Sequence, residues 1–253
     1  VDRCPPEYIV SLYSIFAPKF DDLLVEKLNY QTPTLLRQFL DQEVMQKHKF
    51  NNTNETKSSF CRGADLGCGT GLSGMAFRDC VHHLSGIDLS PDMVERAKLT
   101  NCYDCLMVGE LEDLLLPSSG NNISSNITLE AGQDQHKECL FFDLIVSCDV
   151  FVYIGDLSST FQAVKRVLAP EGRGIFAFST ERLEVESSGN IDDGTKSQPP
   201  FQLHACARFA HRESYIRDLA QSYGFVVCAM KNAVLRKNKG QNVHGTLTIL
   251  ALT

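Results

Sequence analysis

With 253 residues, 43% of them hydrophobic, the chain can bury one sizeable core, and no obvious linker divides it. A formal net charge of −7 argues against a nucleic-acid binder that relies on long-range attraction. The most apolar run, from Phe141 to Ile154, is broken by Asp143 and Asp149, so no membrane span is read.

Residues 6–39 read as helical. Tyr8, Leu12 and Phe16, then Leu23, Leu24 and Leu28, recur at roughly helical spacing, with Pro18 interrupting and Pro33 opening a further turn. From residue 62 onward strand and helix patterns alternate, which predicts a parallel sheet covered on both faces. Strands are expected at 62–66, 84–88, 105–108, 142–148 and 174–179. Ser90 caps a helix with Pro91 at its first position. Further helices carry Leu157, Phe161, Val164 and Leu168, and then Ile216, Leu219, Ala220 and Tyr223. Two last strands, 225–235 and 246–250, are joined by a turn around 236–240 with no helix between, so the final strand runs antiparallel.

The expectation is one α/β domain over 1–253: a Rossmann-like, seven-stranded, mostly parallel sheet with a C-terminal antiparallel hairpin strand and helices on both faces. Residues 1–50 form a helical cap, and 117–137 and 185–200, which lack apolar periodicity, are surface insertions. Ten cysteines in a chain this long read as free thiols, many of them small core residues, in a reducing intracellular compartment. Cys102-Tyr103-Asp104-Cys105 has no second pair at zinc spacing, and no metal site is read. The chain starts at Val1, which leaves N-terminal targeting unread.

The most informative stretch is Asp65-Leu66-Gly67-Cys68-Gly69-Thr70-Gly71. An acid ends the first strand, and glycines then bring bare backbone against a ligand. A second acid, Asp88, ends the next strand, suited to ribose hydroxyls. Gly69-x-Gly71-x-x-Gly74 also satisfies the dinucleotide fingerprint, so a nicotinamide or flavin oxidoreductase competes. Asp65 tells against it. A pyrophosphate gains nothing from a preceding carboxylate, whereas a ligand with an ammonium group does.

The run from Asp65 to Gly71 resembles motif I of class I S-adenosylmethionine-dependent methyltransferases. Gly86-Ile87-Asp88-Leu89-Ser90-Pro91 resembles their second motif, and Leu168-Ala169-Pro170-Glu171-Gly172 the turn before strand five, with Glu171 where glycine is usual. Phe16-Ala17-Pro18-Lys19-Phe20-Asp21, the stretch from Asp149 to Leu157, and Arg208-Phe209-Ala210-His211 are similar to methyltransferases often fused to tetratricopeptide repeats, although no repeat is visible. The resemblance implies S-adenosylmethionine as cofactor, bound by Asp65, Gly67, Cys68, Gly69, Gly71, Asp88, Leu89, Glu110 and Ser147. It implies an acceptor, small molecule or protein, near Tyr13, Tyr153 and Arg208, with Asp149 orienting it and His211 as general base. An inactive cofactor-binding scaffold protein is the remaining alternative.

Overall fold

Short strands of valine, isoleucine, leucine and phenylalanine make the centre of the molecule, and their alternation decides which helices cover which face. The computed structural model describes residues 1–16, 28–45, 60–115, 141–183, 199–238 and 240–253. Pro18, Phe20, Leu23, Leu24 and the stretch 117–137 lie outside these, as does 185–200 apart from Pro199 and Pro200.

The strands are β1 (Phe60–Leu66), β2 (Val81–Asp88), β3 (Cys105–Val108), β4 (Leu144–Ser147), β5 (Ile175–Arg182), β6 (Phe201–Leu203), β7 (Phe209–His211), β8 (Phe225–Asn238) and β9 (Gln241–Leu252). They form one sheet whose parallel centre has the order β3-β2-β1-β4-β5. β9 lies antiparallel against β5, and β8 lies antiparallel outside β9. The hairpin β6–β7 hangs on the far end of β5 through Glu181 opposite Ala210 and Arg182 opposite His211.

Seven strands were expected and nine are present among the described residues. The two extra, β6 and β7, are three residues each, too short for an alternating pattern to stand out in a polar stretch. The terminal hairpin is also longer than its apolar pattern suggests. Arg236, expected in the turn, pairs with Val243 inside the ladder.

Seven helices complete the described chain: α1 (Pro6–Phe16), α2 (Thr32–Leu40), α3 (Leu72–Phe77), α4 (Pro91–Leu99), α5 (Leu111–Leu114), α6 (Ser158–Val167) and α7 (Glu213–Tyr223). Pro33 opens α2, which continues as a π-helical turn over Asp41–Met45. The Ser90 hydroxyl caps α4, accepting from the Met93 amide at 3.4 Å.

Alternate residues of one strand go to opposite cores. Ile145, Phe176 and Phe178 pack with Phe161, Leu219 and Ala220 beneath α6 and α7. Leu144, Val146, Ile175 and Ala177 pack with Leu36, Leu40 and Phe77 from α2 and α3. A third, smaller cluster of Cys4, Ile9, Val152, Tyr153 and Phe209 sets α1 across the C-terminal ends of the parallel strands. Residues 2–4 fix that placement. The Cys4 amide donates to the Tyr153 carbonyl at 2.8 Å, the Gly155 amide to the Asp2 carbonyl at 2.7 Å, and Arg3 pairs with Glu110 and Glu112 at 3.1 and 2.6 Å.

Phe161 is fully buried and meets Phe176, Phe178 and Phe225 edge to face at 5.7–5.9 Å between centroids. Phe161→Ala leaves a cavity under α6 and lowers stability by about 3–5 kcal/mol, measured by denaturant unfolding.

Candidate functional site

The site opens where β1 gives way to α3. The turn carries three glycines at positive φ, and Gly67 and Gly69 need that freedom for different reasons. A Cβ on Gly67 would lie 2.3 Å from Val150 Cγ2, so only bare backbone fits against the loop after β4. A Cβ on Gly69 would meet nothing within 4 Å, because it would project into open space. The amides of Gly67 and Cys68 donate to the Ile87 carbonyl at 2.8 and 2.9 Å, tying the turn to β2.

Two carboxylates flank the turn in different states. Asp65 is fully buried behind it. Its Oδ2 accepts from the Ser73 and Tyr103 hydroxyls, both at 2.6 Å, while Oδ1 has no partner among the described residues. Burial pushes its carboxyl up to about 6, against the pull of the two hydroxyls. Asp88 ends β2 and accepts from the Gly69 amide on Oδ2 and the Ser90 amide on Oδ1, each at 2.9 Å. Each of its oxygens keeps a further lone pair, enough for two hydroxyl donors. Burial raises its pKa as well.

A cavity of about 530 Å³ lies over these groups. The turn from Gly67 to Thr70, with Asp88, Leu89, Met93 and Glu110, makes one wall. Ile9, Leu12 and Tyr13 of α1, with Tyr30, make the other, and Asp149, Tyr153 and Arg208 close the end. Thus Gly67, Cys68, Gly69, Asp88, Leu89 and Glu110 meet around one space with Tyr13, Asp149, Tyr153 and Arg208. Glu110 already accepts from Arg3 and caps α5 with Asp113.

Asp65, Gly71, Ser147 and His211 do not line the cavity. The Ser147 hydroxyl donates to the Leu66 carbonyl at 3.0 Å and joins β4 to β1. Gly71 receives the side chains of Thr100 and Tyr103. His211 needs correcting outright as a base. Its ring is buried on β7, stacks on Tyr215, and has Nε2 within 2.9 and 3.1 Å of the Ile154 and Gly155 carbonyls. Two carbonyl acceptors place the ring proton on Nε2. Burial lowers its pKa to about 4, although the two carbonyls work against that. A ring with no path to the cavity takes no proton from an acceptor.

Asp149 is held, and not free to act as a base. It sits at φ +59, an uncommon conformation for a residue other than glycine. Both of its oxygens accept from Arg236 Nη1, at 2.7 and 2.9 Å. The other end of Arg236 hydrogen-bonds Glu181 on β5. Arg208 stands further off, 3.4 Å from Glu181 and 3.7 Å from Asp149, with its guanidinium 5.7 Å from the centre of the Tyr153 ring. The Tyr13 and Tyr153 hydroxyls meet at 2.8 Å. Burial pushes the pKa of Tyr13, Tyr30 and Tyr153 up, so these phenols stay protonated at neutral pH.

Three functional residues escaped the sequence reading. Arg236 was assigned to a turn, and Arg3 lay in an unpatterned start. Tyr103 was passed over between two cysteines. Its signal was the small residues around it: a Cβ on Gly74 or Gly86 would lie 2.3 or 2.9 Å from its ring.

Residues 64–173 match a family described as a methyltransferase domain. No curated protein matches the chain by sequence. The fold is shared with solved structures of low identity. A S-adenosylmethionine-dependent methyltransferase from Clostridium acetobutylicum matches at 17% identity and TM-score 0.55, over 95% of this chain and 99% of that one. Magnesium protoporphyrin IX methyltransferase from Synechocystis, solved with S-adenosylhomocysteine, matches at 14% and 0.52, over 86% and 83%. An N-methyltransferase from Bradyrhizobium japonicum, also in complex with S-adenosylhomocysteine, matches at 16% and 0.52, over 87% and 86%.

The buried Asp65 sets a sign for stability against pH. Its folded pKa lies above its unfolded value, so its contribution is fully present below about pH 4 and is lost as pH rises through about 6. Asp65→Asn therefore gains about 2–3 kcal/mol relative to the parent between about pH 4 and about pH 7. Urea unfolding of both proteins across that range reads the difference.

Proposed function

We propose that this protein transfers the sulfonium methyl of S-adenosylmethionine to an acceptor, a small molecule in preference to a protein. The observation that carries the reading is Asp88, held by the Gly69 and Ser90 amides with lone pairs left on both oxygens at the cavity wall. The residues present fit the donor. A Cβ at Gly69 would enter the space the donor needs, and Leu89 and Met93 offer an apolar surface for a purine. The partnerless oxygen of Asp65 supplies negative potential behind the turn, suited to an ammonium group. Its partner Ser73 does reach the cavity, so Asp65 positions the wall it stands behind. Two of the similar structures hold S-adenosylhomocysteine, which supports the same ligand chemistry here.

When bound, S-adenosylmethionine supplies a methyl group already activated by the sulfonium charge. The chain therefore has mainly to align the acceptor and exclude water. α1, held down by residues 2–4, covers the cavity, and Tyr13 and Tyr153 form its acceptor-side wall. Among the described residues at the cavity, Asp149 is bound by Arg236 and Glu110 by Arg3, so both carboxylates are already engaged. An acceptor whose nucleophile is unprotonated at neutral pH suits this arrangement. The narrower resemblance to methyltransferases often fused to tetratricopeptide repeats belongs to the same proposal. It is supported by the way Asp149, Tyr153 and Arg208, from two separate matching stretches, converge on the cavity.

The parent protein binds S-adenosylmethionine and S-adenosylhomocysteine with sub-millimolar affinity in calorimetry. Asp88→Asn weakens both by roughly 10–100-fold, the loss of two charge-assisted hydroxyl bonds. Absence of binding by the parent protein refutes the reading.

A further inference from the structure

The four charged residues at the end of the cavity are not equivalent, and their inequality points to the acceptor. Arg236 is almost fully buried and makes the close contacts to both carboxylates. Arg208 is a quarter exposed and lines the cavity. It keeps a single long hydrogen bond, Nη1 to Glu181 at 3.4 Å, and makes no other among the described residues. Most of its five donors are thus uncommitted. The side chain is nevertheless held in place. The β6–β7 hairpin presents it, with the His204 amide donating to its own carbonyl at 2.8 Å, and the Tyr153 ring supports the guanidinium. A fixed, charged planar fork at the end of a cavity is the arrangement that recognises a carboxylate.

We infer that the methyl acceptor is a small monocarboxylic acid with an apolar body, its carboxylate held by Arg208 beside the Tyr13–Tyr153 pair: a carboxylate oxygen forms the new bond to the methyl carbon as the methyl–sulfur bond breaks, giving the methyl ester and S-adenosylhomocysteine with no proton to remove. This deepens the proposed methyl transfer and rests on it. One negative charge suits the site. Asp149 and Glu181 stand within 3.7 Å of the same guanidinium, so a dianion such as a phosphate monoester faces about twice the repulsion that a single carboxylate does. The apolar body follows from Ile9, Leu12 and Leu28, which line the same cavity. Arg208 is then a specificity-determining residue. Asp149, Glu181 and Arg236 are positioning residues that keep it from swinging inward.

The test uses the full chain loaded with S-adenosylhomocysteine, titrated in a calorimeter with benzoate, phenylacetate and hexanoate. Each acid is compared with its primary amide, and benzoate also with phenyl phosphate. At least one acid binds roughly tenfold or more tightly than its amide, and phenyl phosphate binds more weakly than benzoate. Arg208→Gln brings the acid down to the level of the amide without changing S-adenosylhomocysteine affinity, and Arg208→Lys recovers part of the preference. Arg217→Gln, a surface change on α7, leaves every value unaltered. The inference is overturned if no acid is preferred over its amide by the parent protein, if phenyl phosphate binds more tightly, or if Arg208→Gln keeps the preference. The comparison of acid with amide in the parent protein holds even if a variant fails to fold. Failure of S-adenosylhomocysteine itself to bind would instead sink the methyl-transfer reading.

Discussion

A buried carboxylate with one oxygen left over sets the terms for the cofactor half of this molecule. Removing Asp65 from water is costly, and the Ser73 and Tyr103 hydroxyls on Oδ2 offset only part of that cost. Those two bonds also organise the neighbourhood. The Tyr103 hydroxyl accepts from the Gly74 amide at 3.0 Å, so one phenol links β1, the start of α3 and the entry to β3. Its ring fills the space that Gly71, Gly74 and Gly86 leave open. A larger residue at Gly74 or Gly86 would displace the ring and release the carboxylate's partner. The glycines of the turn thus serve two ends: some let a ligand approach, while others admit the tyrosine that holds the acid.

A second set of charges does comparable work on the acceptor side. Arg236 joins β8 to the exit of β4 and the end of β5. Breaking such a buried pair by removing one partner leaves unpaired charge in low dielectric, which is far worse than never having buried it. This explains why β8 and β9 extend well past their apolar core. The extra length carries a guanidinium to Asp149, whose strained backbone is held by the Arg236 contacts and by its amide donating to Ser179 at 2.8 Å.

The legible part of the fold was the part written locally. The alternation of strands and helices, the caps at Ser90 and Pro33, the glycine turn and Asp88 all depend on neighbours within a few residues. β3 matches the range expected from the sequence, and α7 contains the four apolar residues expected on one helix there, because period and punctuation coincide. What escaped depends on distance along the chain. His211 looked like a base because it follows the long polar loop, a region that borders substrate in the methyltransferases the sequence resembles. Only the packing of Phe201 and Tyr215 against it shows a buried ring hydrogen-bonded to backbone carbonyls. Arg236 read as turn chemistry because its partners are 87 and 55 residues away. Tyr103 was hidden by the cysteines beside it.

That division maps onto the two halves of the cavity. Its wall at the glycine turn comes from residues within 67–73 and 88–93, with Glu110, each segment set by the strand before it. Its acceptor wall is assembled from α1, the loop after β4 and the β6–β7 hairpin, which touch only in three dimensions. Changes in α1 or the hairpin can reshape the acceptor wall without moving Asp65 or Asp88, since neither carboxylate bonds to those elements. The reverse does not hold: a change at the glycine turn moves Val150, which touches Gly67, and with it the neighbouring Asp149. A change at the glycine turn therefore reaches across the cavity, while α1 and the hairpin can vary without disturbing Asp65 or Asp88.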